Sequence, residues 1–304
     1  MACMSWTFLL SAESTVDVPY SYVQKRKIPV LEYSYIVDGK QYPDDMGRDP
    51  STMDRFYKML ESGDIPSTSQ LTEFQYTEYF ENLLKEADVL HIAFGSGMTA
   101  SVGHAISAAE KLREKYPGRQ ILVIDSTCSS SGYGLLVDYA ADIRDNGASL
   151  EETAAWVEAH KHHVHHQFFS TTLSYYRRSG RMSGPAAAIG TVLNICPIMR
   201  LDDGGHIIAY DKVRGRKKAI ARTMDEMEKH AEGGKNYAQK CWVCHSNCLE
   251  TAEVVRDALR QRFPNIQGDI RICDIGTIIA SHCGPGTVAV FFLGDARASE
   301  DKNR

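Results

Sequence analysis

Gly95-Ser96-Gly97-Met98-Thr99 lies between an apolar run ending at Phe94 and a helix-spaced stretch opening near Thr99. A strand, a tight glycine turn and a helix N-terminus make an anion-binding arrangement, because free backbone N–H groups and the positive end of the helix dipole face one point. Ser96 and Thr99 add hydroxyl donors. The same residues fit a second pattern. Gly95-x-Gly97-x-x-Ala100 is a relaxed dinucleotide fingerprint, and Asp125 falls where a ribose-binding acid would sit. On this segment alone an anion site and a nicotinamide-dependent oxidoreductase are both open.

Upstream, Pro66-Ser67-Thr68-Ser69-Gln70 packs three hydroxyls and an amide into the loop before a helix. Such loops often only cap helices. In a parallel sheet, however, loops at the carboxyl ends of neighbouring strands converge on one crevice, where ligands bind. Two hydroxyl-rich loops in one crevice suit a carboxylate or phosphate and offer neutral donors rather than Arg or Lys. His282, within Ser281-His282-Cys283-Gly284-Pro285-Gly286, reads as a histidine in a glycine-proline turn. Ser96, Cys283 and His282 are also the candidate nucleophiles and base of an acyl hydrolase. The G-x-S-x-G elbow is absent, since Gly95-Ser96-Gly97 lacks its spacing.

Two clusters have metal-ligand types. Cys241-Trp242-Val243-Cys244-His245 matches the C-x-x-C-H haem-attachment pattern, and Cys248 adds a third thiol for a tetrahedral zinc set. Haem attachment requires export, and the N-terminus shows no basic n-region or cleavage site. Lys240–Cys244 reads as a buried strand, which sends alternate side chains to opposite faces. His160, His162, His163, His165 and His166 fall at helix spacings, but no glutamate completes H-E-x-x-H. They read as a solvated, histidine-rich helix end. No metal ligand, cofactor or catalytic residue is assigned.

The elements that must position these groups alternate. Apolar runs at Trp6–Leu10, Pro29–Val37, Val89–Phe94 and Gln120–Asp125 are separated by helical spacing at Ser51–Glu61, Leu71–Glu86, Thr99–Lys115 and Gly132–Asp145. That order predicts βαβ units and a parallel sheet covered on both faces. After a helix over Leu150–His165, the texture becomes mixed. Gln167–Thr172 opens a loop-rich stretch. Ile198–Leu201, His206–Val213, Lys240–Cys244, Asp269–Cys273 and Thr287–Leu293 read as strands, with helices over Lys217–Ala231 and Leu249–Phe263. The expectation is an α/β protein of two close-packed domains, 1–165 parallel and 166–304 smaller and mixed, with a cleft between them.

With 304 residues, 43% of them hydrophobic and 24% charged, the chain has the composition of a soluble globular protein. A net charge of −5 gives no reason to expect a nucleic-acid partner. No apolar run reaches the roughly 18 residues of a membrane span. The expected location is the cytoplasm. The densest basic run is Lys212, Arg214, Arg216, Lys217 and Lys218. It reads as a solvated turn or as a docking patch for an acidic partner.

From about residue 9 to 294 the chain resembles the DegV-like fatty-acid-binding proteins. The resemblance rests on Ser14-Thr15-x-Asp17-x-Pro19, Asp38-Gly39-Lys40-x-Tyr42, Thr68-Ser69-Gln70, Gly95-Ser96-Gly97-Met98-Thr99-Ala100-Ser101 and Asp125-Ser126. Leu173 to Ser183, Pro197-Ile198, Val213-Arg214-Gly215, Gly276 and His282-x-Gly284-Pro285-Gly286 follow in order. Glu13, Leu71, Gly95 and Ala100 depart from the family's usual residues. The resemblance implies a two-domain α/β fold with a lipid tunnel between the domains. It implies that a long-chain fatty acid meets Thr68, Ser69, Ser96 and Gly97, with His282 nearby. It further implies a fatty-acid kinase as partner, which makes an acyl phosphate from ATP. On that reading the protein is a substrate carrier in phospholipid metabolism and not itself an enzyme, and Arg214 and Arg216 are the candidate kinase-docking residues.

Overall fold

The computed structural model describes residues 6–183 and 194–299. Strand β1 (Phe8–Glu13) is followed by α1 (Tyr20–Lys25), β2 (Val30–Leu31), β3 (Ser34–Val37), β4 (Lys40–Pro43) and α2 (Thr52–Ser62). Then come β5 (Ser67–Thr68), α3 (Glu73–Leu84), β6 (Asp88–Ala93), α4 (Ser101–Lys115), β7 (Ile121–Asp125), α5 (Ser130–Asp145) and α6 (Leu150–His160). The chain continues through β8 (Val164–Ser170), α7 (Ser174–Ser179), β9 (Met182–Ser183), β10 (Ile195–Leu201), β11 (Ile207–Arg214) and α8 (Arg216–His230). It ends with β12 (Cys241–His245), α9 (Leu249–Arg262), β13 (Arg271–Asp274), α10 (Thr277–Cys283) and β14 (Thr287–Leu293).

Strands β2-β1-β6-β7 form a wholly parallel sheet in that order. The first crossover runs one way from β1 and the later ones the other, so the order reverses between β1 and β6. A crevice opens outside the carboxyl ends of two such strands. A small antiparallel sheet, β4-β3-β5, stands beside it. The apolar run Pro29–Val37 is therefore not one strand. It breaks at Tyr33, whose N–H donates to Ser14 Oγ at 3.1 Å and whose carbonyl accepts from Asp44 N–H at 2.9 Å. With both backbone groups so occupied, Tyr33 cannot continue a ladder, and β3 leaves for the second sheet.

The largest sheet is β13-β12-β14-β8-β10-β11-β9, mixed in direction. One of its faces packs on α5, α7 and α10, within a core continuous with the parallel sheet. The other packs under α8 and α9 around Phe169, Tyr237, Phe263 and Phe292. Helices α3 and α6 start at capping boxes, Thr72 with Gln75 and Ser149 with Glu152.

The histidine-rich stretch departs from its sequence reading. Helix α6 stops at His160, whose ring stacks on Trp156, and Val164–Ser170 is a central strand buried on both faces. His165 and His166 are only 5% and 3% exposed, so they are not a solvated helix end. Their spacing fits a helix locally, but the ladders to β14 and β10 outweigh it. His166 faces the start of α5, where Nε2 accepts from Ser129 N–H, while Nδ1 donates to the Val164 carbonyl on its own strand.

Candidate functional site

Glu13 closes β1 at the point where the strand order reverses, and its side chain is fully buried. Its carboxylate accepts from Phe94 N–H at 2.9 Å, from the Tyr76 hydroxyl, and faces His91 Nε2 at 3.3 Å. It thereby holds the exit of β6, from which the Gly95–Thr99 loop springs. In the sequence Glu13 stands out only as a departure from the family's usual residue. Its signal was an acid ending a largely apolar strand.

Not every amide of that loop faces outward. Gly95 N–H donates to the Cys128 carbonyl, Ser96 N–H to Asp125 Oδ1 at 3.0 Å, and Met98 N–H back to the Gly95 carbonyl. Among the described residues the Gly97 N–H donates to nothing within the protein. Asp125 also accepts from Thr127 N–H, so it braces two loops and does not face a ribose. A Cβ at Gly97 would lie 2.4 Å from the Gly205 carbonyl carbon and 2.6 Å from the Gly204 oxygen. The approach a pyrophosphate would need is filled by the backbone of the β10–β11 turn. The dinucleotide reading fails for that reason.

Thr68, on β5, and His282, on α10, meet across the two halves of the molecule: Thr68 Oγ1 lies 2.8 Å from His282 Nε2. His282 is on the last helical turn and not in the glycine-proline turn, which starts only at Gly284 with φ at 64°. Burial, then the positive charges of Arg181 and Arg178, push the His282 ring down to about 4. It is neutral at neutral pH. Those two arginines are the site groups that the neutral-donor reading missed. Ser69 turns away, its hydroxyl 3.5 Å from the Ser34 carbonyl. Ser96 is exposed and lines an open cleft of about 770 Å³ with Gln70, Thr99, Arg181 and His206.

Beside α10 runs a narrow apolar cavity lined by Phe168, Tyr176, Leu201, Ile207, Ile279 and Phe291. Ile279 precedes His282 by one helical turn, and Cys283 follows it, so cavity and imidazole share one helix. The volume is about 50 Å³. A water occupies roughly 30 Å³ of liquid, so an acyl chain enters only as these side chains turn aside.

The model of the DegV family of uncharacterised proteins matches residues 8–295. The chain belongs to the DegV family. A DegV domain-containing protein of Clostridium perfringens is 36% identical, over 95% of this chain and 98% of the relative. A DegV family protein from Thermus thermophilus, described by its fatty-acid binding, superposes with a TM-score of 0.83 at 26% identity, covering 95% of this chain and 99% of that one. A fatty-acid-binding DegV family protein from Streptococcus agalactiae superposes with a TM-score of 0.78 at 25% identity, covering 96% and 100%. The α/β arrangement of a parallel and a mixed sheet is thus the DegV fold.

Within this DegV fold the cysteine cluster does not converge. Cys241 faces the core under α8 and α9, whereas Cys244 faces the opposite core. Burial pushes the Cys283 thiol up to about 12 and Cys248 up to about 11, so neither is a ready thiolate. His282, at about 4, is too weak a base to activate a neighbouring hydroxyl. Arg214 ends β11 opposite Ile195, and the cross-strand pairs Phe169 with Ile198 and Ser170 with Thr287 set it at the end of the sheet where the His282–Gly286 segment joins. Arg216 opens α8 and donates to Thr251 Oγ1. Both arginines are exposed. No helix among the described residues is long and apolar enough to cross a membrane.

Proposed function

We propose that this DegV protein binds a long-chain fatty acid and presents its carboxylate to a fatty-acid kinase in the cytoplasm, catalysing nothing itself. The observation that carries the reading is the Thr68–His282 hydrogen bond, which ties the two halves together at an apolar cavity. The fatty-acid binding described for the Thermus and Streptococcus relatives supports it. In this reading residues 1–165 supply the hydroxyl loops and residues 166–304 supply His282.

The carboxylate takes the Thr68 hydroxyl, the Ser96 hydroxyl and the free Gly97 N–H. Ser69 joins when its hydroxyl leaves the Ser34 carbonyl, a contact already at the limit of a hydrogen bond. Neutral His282 donates one N–H without forming a salt bridge, and Arg178 and Arg181 provide a favourable field nearby. One carboxylate oxygen remains for phosphoryl transfer. The acyl chain displaces the side chains of the cavity. About 14 methylenes at roughly 0.8 kcal/mol each give on the order of 11 kcal/mol gross. Opening the cavity and ordering the chain reduce this considerably. Arg214 and Arg216 steer an acidic face of the kinase toward that end of the sheet.

Organic extraction and mass spectrometry of purified protein test the binding. The expected yield is about one fatty acid per chain, of roughly 14–18 carbons, whose burial supplies most of the affinity. No extractable lipid, together with no binding of added oleate or palmitate, refutes it, and co-extracted NAD would favour an oxidoreductase. Acyl-phosphate formation from ATP with a purified fatty-acid kinase tests the partner separately.

A further inference from the structure

At the other end of the large sheet, three residues from separate elements converge. They are His165 on β8, His230 closing α8, and Asp295 just beyond β14. His165 Nε2 lies 3.0 Å from Asp295 Oδ1, and His230 Nδ1 lies 3.1 and 3.2 Å from its two carboxylate oxygens. One potential ligand atom from each residue lies within 4.8 Å of the others, and among the described residues no other such group is found. From Ser170, at the opposite end of β8, His165 is five residues or about 17 Å away, so this is not the carboxylate site.

The cluster is held from behind. The His165 ring stacks between His230 (centroids 5.1 Å) and Phe292 (5.0 Å). His230 Nε2 faces Glu226 Oε2 at 3.5 Å, and this buried carboxylate is itself paired with Arg222. A carboxylate behind a histidine fixes its tautomer and raises its basicity as a ligand. As the structure stands, His230 Nδ1 donates to Asp295; an ion taking Asp295 would send that proton to Nε2, toward Glu226, and leave Nδ1 as the ligand. Asp295 N–H donates to the His230 carbonyl, and a Cβ at Gly294 would lie 2.2 Å from that oxygen. Only glycine lets the end of β14 approach α8 closely enough to bring the Asp295 carboxylate to the nitrogen-bearing edges of both rings.

We propose that His165, His230 and Asp295 bind a divalent first-row transition ion of the zinc class, with a fourth position open to water. Two imidazoles and a carboxylate are a donor set zinc takes, at about 2.0–2.2 Å per bond. Ligands on such bonds at tetrahedral angles sit about 3.4 Å apart. The observed 3.0 and 3.1 Å to Asp295 need to open by a few tenths of an ångström, and the two ring nitrogens already lie within 4.8 Å of each other. The His165 ring is buried and presents its Nε2 to Asp295. Nε2, which now faces two oxygens of Asp295, becomes the ligand when its proton shifts to Nδ1.

The test is zinc retention by the full chain after gel filtration, with isothermal titration by Zn²⁺ and thermal unfolding as second readouts. Wild type should retain about one equivalent and gain in Tm with zinc. His230→Ala should lose both. Asp295→Ala, at a 60% exposed side chain where folding is not at risk, should do the same. Glu226→Gln should weaken binding about 10- to 100-fold. Cys248→Ser removes the only part-exposed cysteine among the described residues and should change nothing. A wild type that retains no zinc, Asp295→Ala that retains it fully, or loss in Cys248→Ser each overturns the assignment.

Discussion

Replacing Thr68 with valine keeps a β-branched residue on β5 and removes one functional group, the hydroxyl 2.8 Å from His282 Nε2. Two different magnitudes follow. In the ligand-free protein the lost bond is between neutral partners and is worth about 0.5–1.5 kcal/mol. In a chain of this length, about 2 °C of Tm per kcal/mol gives a fall of roughly 1–3 °C. With a fatty acid bound, the same hydroxyl meets a carboxylate, and such a bond is worth about 1.5–3 kcal/mol. At about 1.4 kcal/mol per decade, affinity should fall roughly 12- to 140-fold. Displacement of a fluorescent fatty acid by palmitate from delipidated protein measures this, with Ser96→Ala as the parallel variant. The reasoning is refuted if Thr68→Val folds normally and binds palmitate like wild type, or if its loss of affinity merely follows its loss of Tm.

Gly97→Ala should destabilise by about 1–3 kcal/mol, read as Tm, because its Cβ meets the Gly205 backbone at 2.4 Å and not a side chain that can swing away. A wild-type Tm would mean the turn yields freely. Arg214→Ala and Arg216→Ala should leave palmitate binding unchanged while slowing kinase-dependent acyl-phosphate formation, most at low ionic strength; normal rates at every salt concentration would remove this surface from consideration. The His282 and His165 rings are held near 4 against an ordinary 6.5, so they contribute stability that is full above about 6.5 and lost as pH falls through 4. Burial raises Asp17 and Asp44, whose contribution runs the other way. Comparing wild type with His282→Gln isolates one ring: the stability gap in chemical denaturation should narrow between about pH 7.5 and about pH 4.5. A gap that widens would reverse the assignment of a neutral, buried ring.

Local rules carried the parallel sheet of the first half, but not the break at Tyr33 or the short strand Ser67–Thr68. Apolar runs such as Val89–Phe94, glycine at Gly95 and Gly97, and the helical spacing of Thr99–Lys115 each act over a few residues. The parallel sheet and the loop at its switch point were therefore legible from sequence. Thr68, Ser96 and His282 were singled out by residue type and by ordered resemblance across the chain. Their mutual placement was not legible. Thr68 and His282 are 214 residues apart, and only the packing of α10 against the small sheet brings them within 2.8 Å. The same limit governed Val164–Ser170. Helical spacing of its histidines was a local signal, and the two flanking strands that bury it come from residues 195–201 and 287–293. Likewise Arg178 and Arg181 read as chain-local charges until the fold set them beside His282. Propensity and turn chemistry are settled by neighbours in sequence. Hydrogen-bond partners, burial and the resulting charge states are settled by neighbours in space, which long-range burial of apolar surface selects.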